Sequence, residues 1–549
     1  MIKKLSYWIY RIVSQCRPQL VFALLLFVLG IAVWLRTLAP GIPISDPDTW
    51  GYLYPALSEL AGQGFQQTHG RGIVYPLFLL GVLGFTGSFF SIVIAQHSVG
   101  ILSGLLWWAV WREWQKWLPE KLSGIFWVQC IGMVFLASYL WNANTIFYEE
   151  AIRPESIFPF LALVQIYFCM VYARVRWLGG SNWLLLVAGS CAMLFAPICV
   201  SAKPSWGFAA GVPFALVAAG VFWKADTRAL LTRIGALVIG FALVFLWMKL
   251  LPPALGWIPD ERSKGFLPAT LFTVHAPAIS KVLHTRVEKG KSTPQEKAFL
   301  EKWDRRIKES SLLEKTSYRI LDHDPDYLFY HSDAIADLPG ADNAEKRREY
   351  MYKAYFDALI GFPMDIAAKI IKQLHVAHSD LTNTLYRKDY GFTRSFSGSI
   401  KSMDFYKLPE IDADLTASYR SVREQSEKIA KSQDAKLLFG PSVNKFLTLG
   451  VGPAFLGFWM LAWPALAVFV FFKRKIENNS LARATLAFGI FWATATGTTF
   501  TIATVHSFDI NRYLHLLSVQ HSMILAATIV ITITWVSSKV AQFFSNKVS

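Results

Sequence analysis

Two aspartates, Asp46 and Asp48, stand in the stretch ISDPDTWGYLYP, just after the first long apolar run. Carboxylates beside hydrocarbon are costly, so a pair there points to function. The chemistry open to them is general-base work, the removal of a proton from a hydroxyl. A loop aspartate also caps a following helix, and the sequence alone leaves that reading open. Tyr52 and Tyr54 lie beside them, with His69 and Arg71 further on. A second acidic group, Glu149, Glu150 and Glu155 in YEEAIRPES, lies between two later apolar runs. Two carboxylates in one low-dielectric pocket take different protonation states, which suits proton transfer. Glu149 and Arg153 are four apart and on a helix would pair with each other; that reading also stays open.

The cations that complement these acids are Arg71, Lys203 in SAKPSW, and Arg512 in HSFDINRYLH. Singly, each would serve as a snorkelling side chain or a headgroup contact. Jointly they suit a phosphate, because Arg offers a bidentate fork and Lys a point charge. His69, His97, His506 and His515 have no i, i+4 spacing, so no metal site is assigned, although a divalent ion is left open. No Walker loop, GxGxxG, HExxH or GxSxG occurs, so soluble nucleotide-dependent chemistry lacks its usual parts.

The elements that must position these residues are apolar. Of 549 residues, 54% are hydrophobic and only 17% charged, against about 25% charged in soluble domains. That predicts an all-α polytopic membrane protein. The net charge of +16 does not point to nucleic acid, because the basic residues cluster in short loops beside apolar runs. Ten spans are expected: 19–39, 88–111, 123–141, 153–173, 183–201, 206–223, 231–251, 446–472, 484–504 and 514–536. The run 73–87 is broken by Pro76 and glycines and reads as an interfacial or re-entrant helix. The basic start of the chain (Lys3, Lys4, Arg11, Arg17) and the long first run read as an uncleaved first span.

With the N-terminus inside, the inner loops hold groups such as Arg112, Lys116 and Lys121, then Lys224, Arg228 and Arg233, and later Lys473, Arg474 and Lys475. The short outer loops hold Asp46, Asp48, Glu59, Glu149, Glu150 and Asp509. Basic residues stay on the cytoplasmic side, so both termini are expected inside and the Asp46–Asp48 loop outside. Three regions follow: a seven-span module over 1–251, a mostly helical outer block over 252–444, and a three-span module over 445–549. In the block, helices are expected over 293–320, 342–358, 364–376 and 409–438. The helix 364–376 carries Ile366, Ile370, Ile371 and Leu374 on one face and would lie flat on a bilayer. The block reads as a scaffold. The five cysteines form no disulfide framework or CxxC site there.

The uncleaved first span, the acidic DxxxY of Asp48-Thr-Trp-Gly-Tyr52, the run Tyr75-Pro76-Leu77-Phe78-Leu79, the second acidic loop and the late Arg512-Tyr513 pair resemble the C-type (GT-C fold) membrane glycosyltransferases. That family includes protein O-mannosyltransferases and the bacterial aminoarabinose and arabinofuranosyl transferases. The resemblance covers the first seven spans and the late Arg-Tyr pair; the block 252–444 matches no domain of that family. It implies transfer of a sugar from a polyprenyl-phosphate donor to an envelope glycan, lipid or protein at the outer face of a bacterial inner membrane. It further implies an inverting displacement with Asp48 as base, or Asp46 beside it, and Glu149 and Glu150 as the second acidic position. Lys203, Arg71 and Arg512 would bind the donor phosphate, and Tyr52, His69, His506 and Tyr513 would line the substrate site. A transporter or lipid flippase, or a non-catalytic envelope assembly subunit, is the alternative.

Overall fold

The computed structural model describes residues 18–119, 126–222, 227–260, 264–313, 321–331, 333–340, 342–379, 392–432, 463, 480–507 and 511–548. The expected span 446–472, apart from Trp463, lies outside them, as do Asp509, Cys16, Lys3, Lys4, Arg11, Arg17, Lys121, Lys224, Lys473, Arg474 and Lys475.

The chain is an all-α, multi-pass membrane protein. Among the described residues, eight helices are long and apolar enough to cross a membrane, or up to ten if two bent pairs each count as one. The N-terminal series is α1 (Pro18–Thr37), α2 (Thr49–Leu60), α3 (Val74–Thr86), α4 (Phe90–Gln115), α5 (Phe126–Leu140), α6 (Ala143–Glu150), α7 (Phe158–Leu178), α8 (Asn182–Ala202), α9 (Gly211–Phe222) and α10 (Thr227–Phe245). Hydrocarbon offers backbone groups no partner, so apolar segments of this length satisfy their hydrogen bonds internally as helices. Helix α1 leaves Phe22, Leu26, Phe27 and Trp34 uncovered, and α10 does the same with Leu231, Val238 and Phe241. Such apolar surfaces are stable against lipid. Helix α3 has 13 residues, about 20 Å, which is short of the roughly 30 Å hydrocarbon core. It is therefore no full span, as its proline and glycines suggest.

Late in the chain come α18 (Ser480–Val505), α19 (Asn511–Leu516) and α20 (Ser518–Val548). Here α20 is central: Met523, Ile524, Leu525, Ala526 and Ala527 are all buried. Its Ser522 accepts from the Trp107 indole at 2.9 Å, while Trp114 donates to the Ala484 carbonyl at 3.2 Å. Trp107, Trp111 and Trp114 stack along α4, so one aromatic spine ties the start of the chain to its end.

Between these series lie α11 (Phe266–Val274), α12 (Ala276–Glu288), α13 (Pro294–Ser311), α14 (Ala344–Gly361), α15 (Pro363–Ser379), α16 (Phe392–Phe405) and α17 (Ala413–Lys431). Helices α11 and α12 meet at 85° and bury Phe272, Ile279 and Leu283 against Phe299, Trp303 and Ala354. Thr293 caps α13, its hydroxyl accepting from the Glu296 amide. Part of the face of α15 expected to lie on a bilayer packs on protein: Ile370 and Leu374 meet Ile502, Ala503 and Leu517, and Ile366 is buried with Phe272 and Leu283, while Ile371 stays exposed. Helices α16 and α17 return to the first loop, where Phe396, Met403 and Val422 share a core with Ile44, Tyr52 and Leu57.

Candidate functional site

The turn before α2 divides labour between its two aspartates. Asp46 Oδ1 accepts from the amides of Asp48 at 2.8 Å and Thr49 at 3.1 Å, and the Asp46 amide donates to the Thr49 hydroxyl. Asp46 therefore builds the turn that starts the helix. Asp48 occupies the N-cap position but makes no capping bond with its side chain. Its carboxylate is left for other partners. The turn is fastened to the second acidic loop: Ile44 donates to the Glu150 carbonyl, Ile152 donates to the Ile44 carbonyl, both at 2.9 Å, and the Gly41 amide donates to Glu150 Oε1 at 2.7 Å. The two acidic loops are thus one structure.

Four cations converge there. Arg71 donates to Asp48 Oδ1 at 2.8 Å, and Arg512 donates to Asp48 Oδ2. Arg153 pairs with Asp46, reaches Asp48 at 3.5 Å and Glu155 at 3.9 Å. Lys203 donates to Glu155 at 2.5 Å. Aromatic rings hold the cations in place. Arg71 lies 5.0 Å from the Tyr52 ring, and Tyr513 sits between Lys203 at 5.5 Å and Arg512 at 5.3 Å. Among the described residues, the Nε–H groups of Arg71 and Arg512 are buried without an acceptor, so both guanidiniums keep a donor for an anion.

Local sequence explains how these side chains get there. Residues 69–70 take left-handed backbone, His69 at φ 51° and Gly70 at φ 69°, turning the chain so that Arg71 faces Asp48. A Cβ on Gly72 would lie 1.9 Å from the Ser201 carbonyl oxygen; only glycine allows the Arg71 loop to touch the end of α8, next to Lys203. On the far side, Lys369 of α15 donates to the Ala503 and His506 carbonyls, the latter at 2.8 Å. Lys369 thereby satisfies carbonyls at the C-terminal end of α18, although burial lowers its ammonium to about 7.

The other candidates fall around this centre. Tyr52 and Tyr513 flank the cations. His506 is half-buried, its ring 5.0 Å from Tyr513, and His69 is exposed on the Arg71 loop. Glu149 does not pair with Arg153. Helix α6 ends at Glu150, Ala151 is extended with ψ 135°, and Arg153, preceding Pro154, is extended with ψ 149°. A proline disfavours helical backbone at the residue before it, so the four-residue spacing never becomes a helix face. Glu149 is instead held by Arg36 through two bonds of 2.6 Å and by His97 at 2.8 Å. Neither Arg36 nor His97 stood out as its partner in the sequence, although an ionisable residue in the last turn of an apolar span is a signal in itself. Glu155 and Arg153 also belong to the site. Among the described residues, no group of three His, Cys, Asp or Glu side chains could hold a metal ion.

Electrostatics follow from the packing. Burial alone would raise the Asp48 carboxyl, but Arg512, Arg71 and Arg153 outweigh it and hold it well below the usual carboxylate range. Glu155 is buried too, yet Lys203, Arg153 and Arg512 bring it down to about 2. Burial lowers the Lys203 ammonium to about 8 despite Glu155. The site therefore presents carboxylates already ionised and a lysine poised near neutral pH.

No protein-family model matches this chain, and no curated protein does. Two solved structures of ArnT from Cupriavidus metallidurans are similar to it. The one bound to undecaprenyl phosphate shares 12% identity at a TM-score of 0.27, and the apo form shares 13% at 0.28. Each match covers 87% of this chain and 77% of that one. A likeness of this size fixes neither fold nor activity.

Proposed function

We propose that this protein is a GT-C-type glycosyltransferase that moves a sugar from a polyprenyl-phosphate donor to an envelope acceptor at the outer face of a bacterial inner membrane. The observation that carries the reading is the setting of Asp48: a carboxylate with no capping task, at the meeting point of arginines from three separate segments, two of which keep a free donor.

The charges favour a phosphate. Arg71, Arg153, Lys203 and Arg512 face Asp46, Asp48 and Glu155, so four cations against three carboxylates leave one positive charge. A sugar-phosphate diester brings one negative charge. In the reaction the acceptor oxygen bonds to the sugar's anomeric carbon, and the bond from that carbon to the phosphate oxygen breaks. The acceptor proton passes to Asp48, and the departing phosphate gains a second negative charge. The site stays neutral before and after, which is what preorganised stabilisation of a leaving group requires. In the free protein the arginines make Asp48 a poor base. An arriving phosphate competes for Arg71 and Arg512, loosens their hold, and so raises the basicity of Asp48 as the substrate is seated. Asp46 holds Arg153, while Glu149 and Glu150 position the second loop. Tyr52, Tyr513, His506 and His69 line the approach.

Purified protein in nanodiscs, given polyprenyl-phosphate sugars and envelope glycans, tests this by mass spectrometry. The expected products are free polyprenyl phosphate and a new glycosidic bond. Movement of the lipid-linked sugar between the leaflets of liposomes carrying the protein, with no such bond formed, would replace transfer with transport.

A further inference from the structure

An inverting displacement needs its nucleophile on the side of the sugar opposite the leaving phosphate. Three of the cations proposed for that phosphate, Arg71, Lys203 and Arg512, pair with Asp48 and Glu155 at the Asp46–Asp48 turn. Beside that turn is a cavity of about 600 Å³, lined by Asp46, Pro47 and Arg153 but not by Asp48, Arg71, Lys203 or Arg512; Asp48 directly follows the Pro47 wall, so an acceptor hydroxyl must extend past Pro47 to reach it. That volume falls within the roughly 300–1,000 Å³ typical of small-ligand sites.

The far wall of the cavity comes from α16, in the block that the sequence presents as a scaffold. Ser395, Gly398, Lys401, Ser402 and Phe405 line it, and their spacing by three and four puts them on one helix face. The helix is docked for the purpose. The Ser45 amide donates to the Ser399 hydroxyl at 2.9 Å, the Ser45 and Ser402 hydroxyls are 3.3 Å apart, and the Tyr406 hydroxyl donates to the Pro47 carbonyl at 3.3 Å. Trp50 stacks on Tyr406 with the rings 7° from parallel and 5.0 Å apart, which makes the Tyr406 wall rigid.

The lining is mostly apolar, with a few polar groups among aromatic rings. Phe405, Tyr406 and Phe147 offer aromatic surface to ring C–H groups, and serine hydroxyls offer both donors and acceptors. Lys401 is exposed and ion-pairs with no described residue, so its charge is available to a ligand. We propose that this cavity is the acceptor site and that it takes a saccharide with an acidic substituent directed at Lys401. The assignment to an acceptor rests on the transferase reading above.

Binding is measured on full-length protein in nanodiscs without donor, by saturation-transfer NMR, with a uronate-terminated disaccharide and its neutral counterpart as probes. The uronate should bind about tenfold more tightly, and Lys401→Met should erase the difference. Gly398→Trp should plug the cavity and abolish binding of both probes while affinity for polyprenyl phosphate stays at the wild-type level. A Cβ at Gly398 meets no atom within 4 Å, and replacing a helical glycine favours the helix, so the fold tolerates the start of that side chain. Uronate binding that is absent in the wild type, equal for both probes, or unchanged in Gly398→Trp would overturn the proposal. The two readings fail separately. Probe binding lost in Gly398→Trp, in a protein that makes no glycosidic bond, would leave the cavity a saccharide site and remove the transferase. Full transfer by Gly398→Trp would keep the transferase and move the acceptor elsewhere.

Discussion

Arg512 donates to Asp48 across 464 residues of sequence, while Arg71, 23 residues from Asp48, holds the other oxygen of the same carboxylate. The two ends of the chain thus close on one acid. A carboxylate gripped this way is a weak base until something else takes the guanidiniums. The partner that does so most readily is an anion with at least two free oxygens, such as a phosphate.

The two aspartates should separate by mutation. Asp48→Asn keeps the side chain's shape but removes the proton acceptor, and transfer should fall by roughly 10²- to 10⁴-fold. Asp46→Asn should lose far less, since asparagine builds the same turn as aspartate. Initial rates for both variants, with thermal unfolding in detergent to show that both fold, make the comparison. Equal losses would remove the distinction between base and turn.

Arg512→Gln should weaken polyprenyl phosphate binding by about 10- to 100-fold, the worth of one charge-assisted hydrogen bond. It should also move the acid limb of the donor kcat/KM profile. Arg512 lowers the Asp48 carboxyl, so removing it raises that carboxyl, and activity should begin to fall at a higher pH on acidification. Arg71→Gln should act in the same direction. An unmoved acid limb in both variants would mean that another group sets it.

Much of this centre was legible in the chain. Asp48, Arg71, Lys203 and Arg512 stood out because polar groups at the ends of apolar runs are few, and they do meet. Helix existence was legible too, since apolar length alone decides it. What was hidden was pairing at long range. Arg36 reaches Glu149 across 113 residues, and periodicity reports only neighbours within a few turns. The spacing of four left a Glu149–Arg153 pair open, although Pro154 argues against the helix that spacing needs. The return of α16 to Ser45 depends on serine hydroxyls 354 and 357 residues away, and no local pattern marks such a contact.

Lys203 should set an alkaline limb. Burial, the largest influence, lowers its ammonium from 10.5 to about 8, with Glu155 opposing. A phosphate needs the charged form, so donor kcat/KM should fall as pH rises through about 8. A bound phosphate favours the ammonium, so the same limb in kcat should lie at higher pH. Lys203→Arg should carry the limb out of range. The partner acts on stability in the acid range. Glu155 is lowered from 4.5 to about 2, with burial opposed first by Lys203. Its contribution is therefore complete above about 4.5 and lost as pH falls from there towards 2.

Glu149 offers the sharpest test of the buried frame beneath the site. It is enclosed, with two bonds to Arg36 and one to His97, and its seat exists because residue 100 has no side chain. A Cβ at Gly100 would lie 2.0 Å from Glu149 Oε1. In Gly100→Ala the carboxylate must move, and its bonds to Arg36 break or stretch. Separating a buried pair leaves uncompensated charge and costs about 3–5 kcal/mol, so the variant should melt well below the wild type in detergent. The Gln96 amide also donates to the Glu149 and Ala151 carbonyls at 2.7 and 3.1 Å, which links this frame to the loop carrying Arg153. Transfer by Gly100→Ala should therefore decline even at temperatures where it is folded, with the acceptor and donor KM values rising more than kcat falls. The double change Arg36→Met with Glu149→Leu removes both charges together and should recover much of the lost stability. If the single and double variants melt alike, the pair is not what holds the second acidic loop in place.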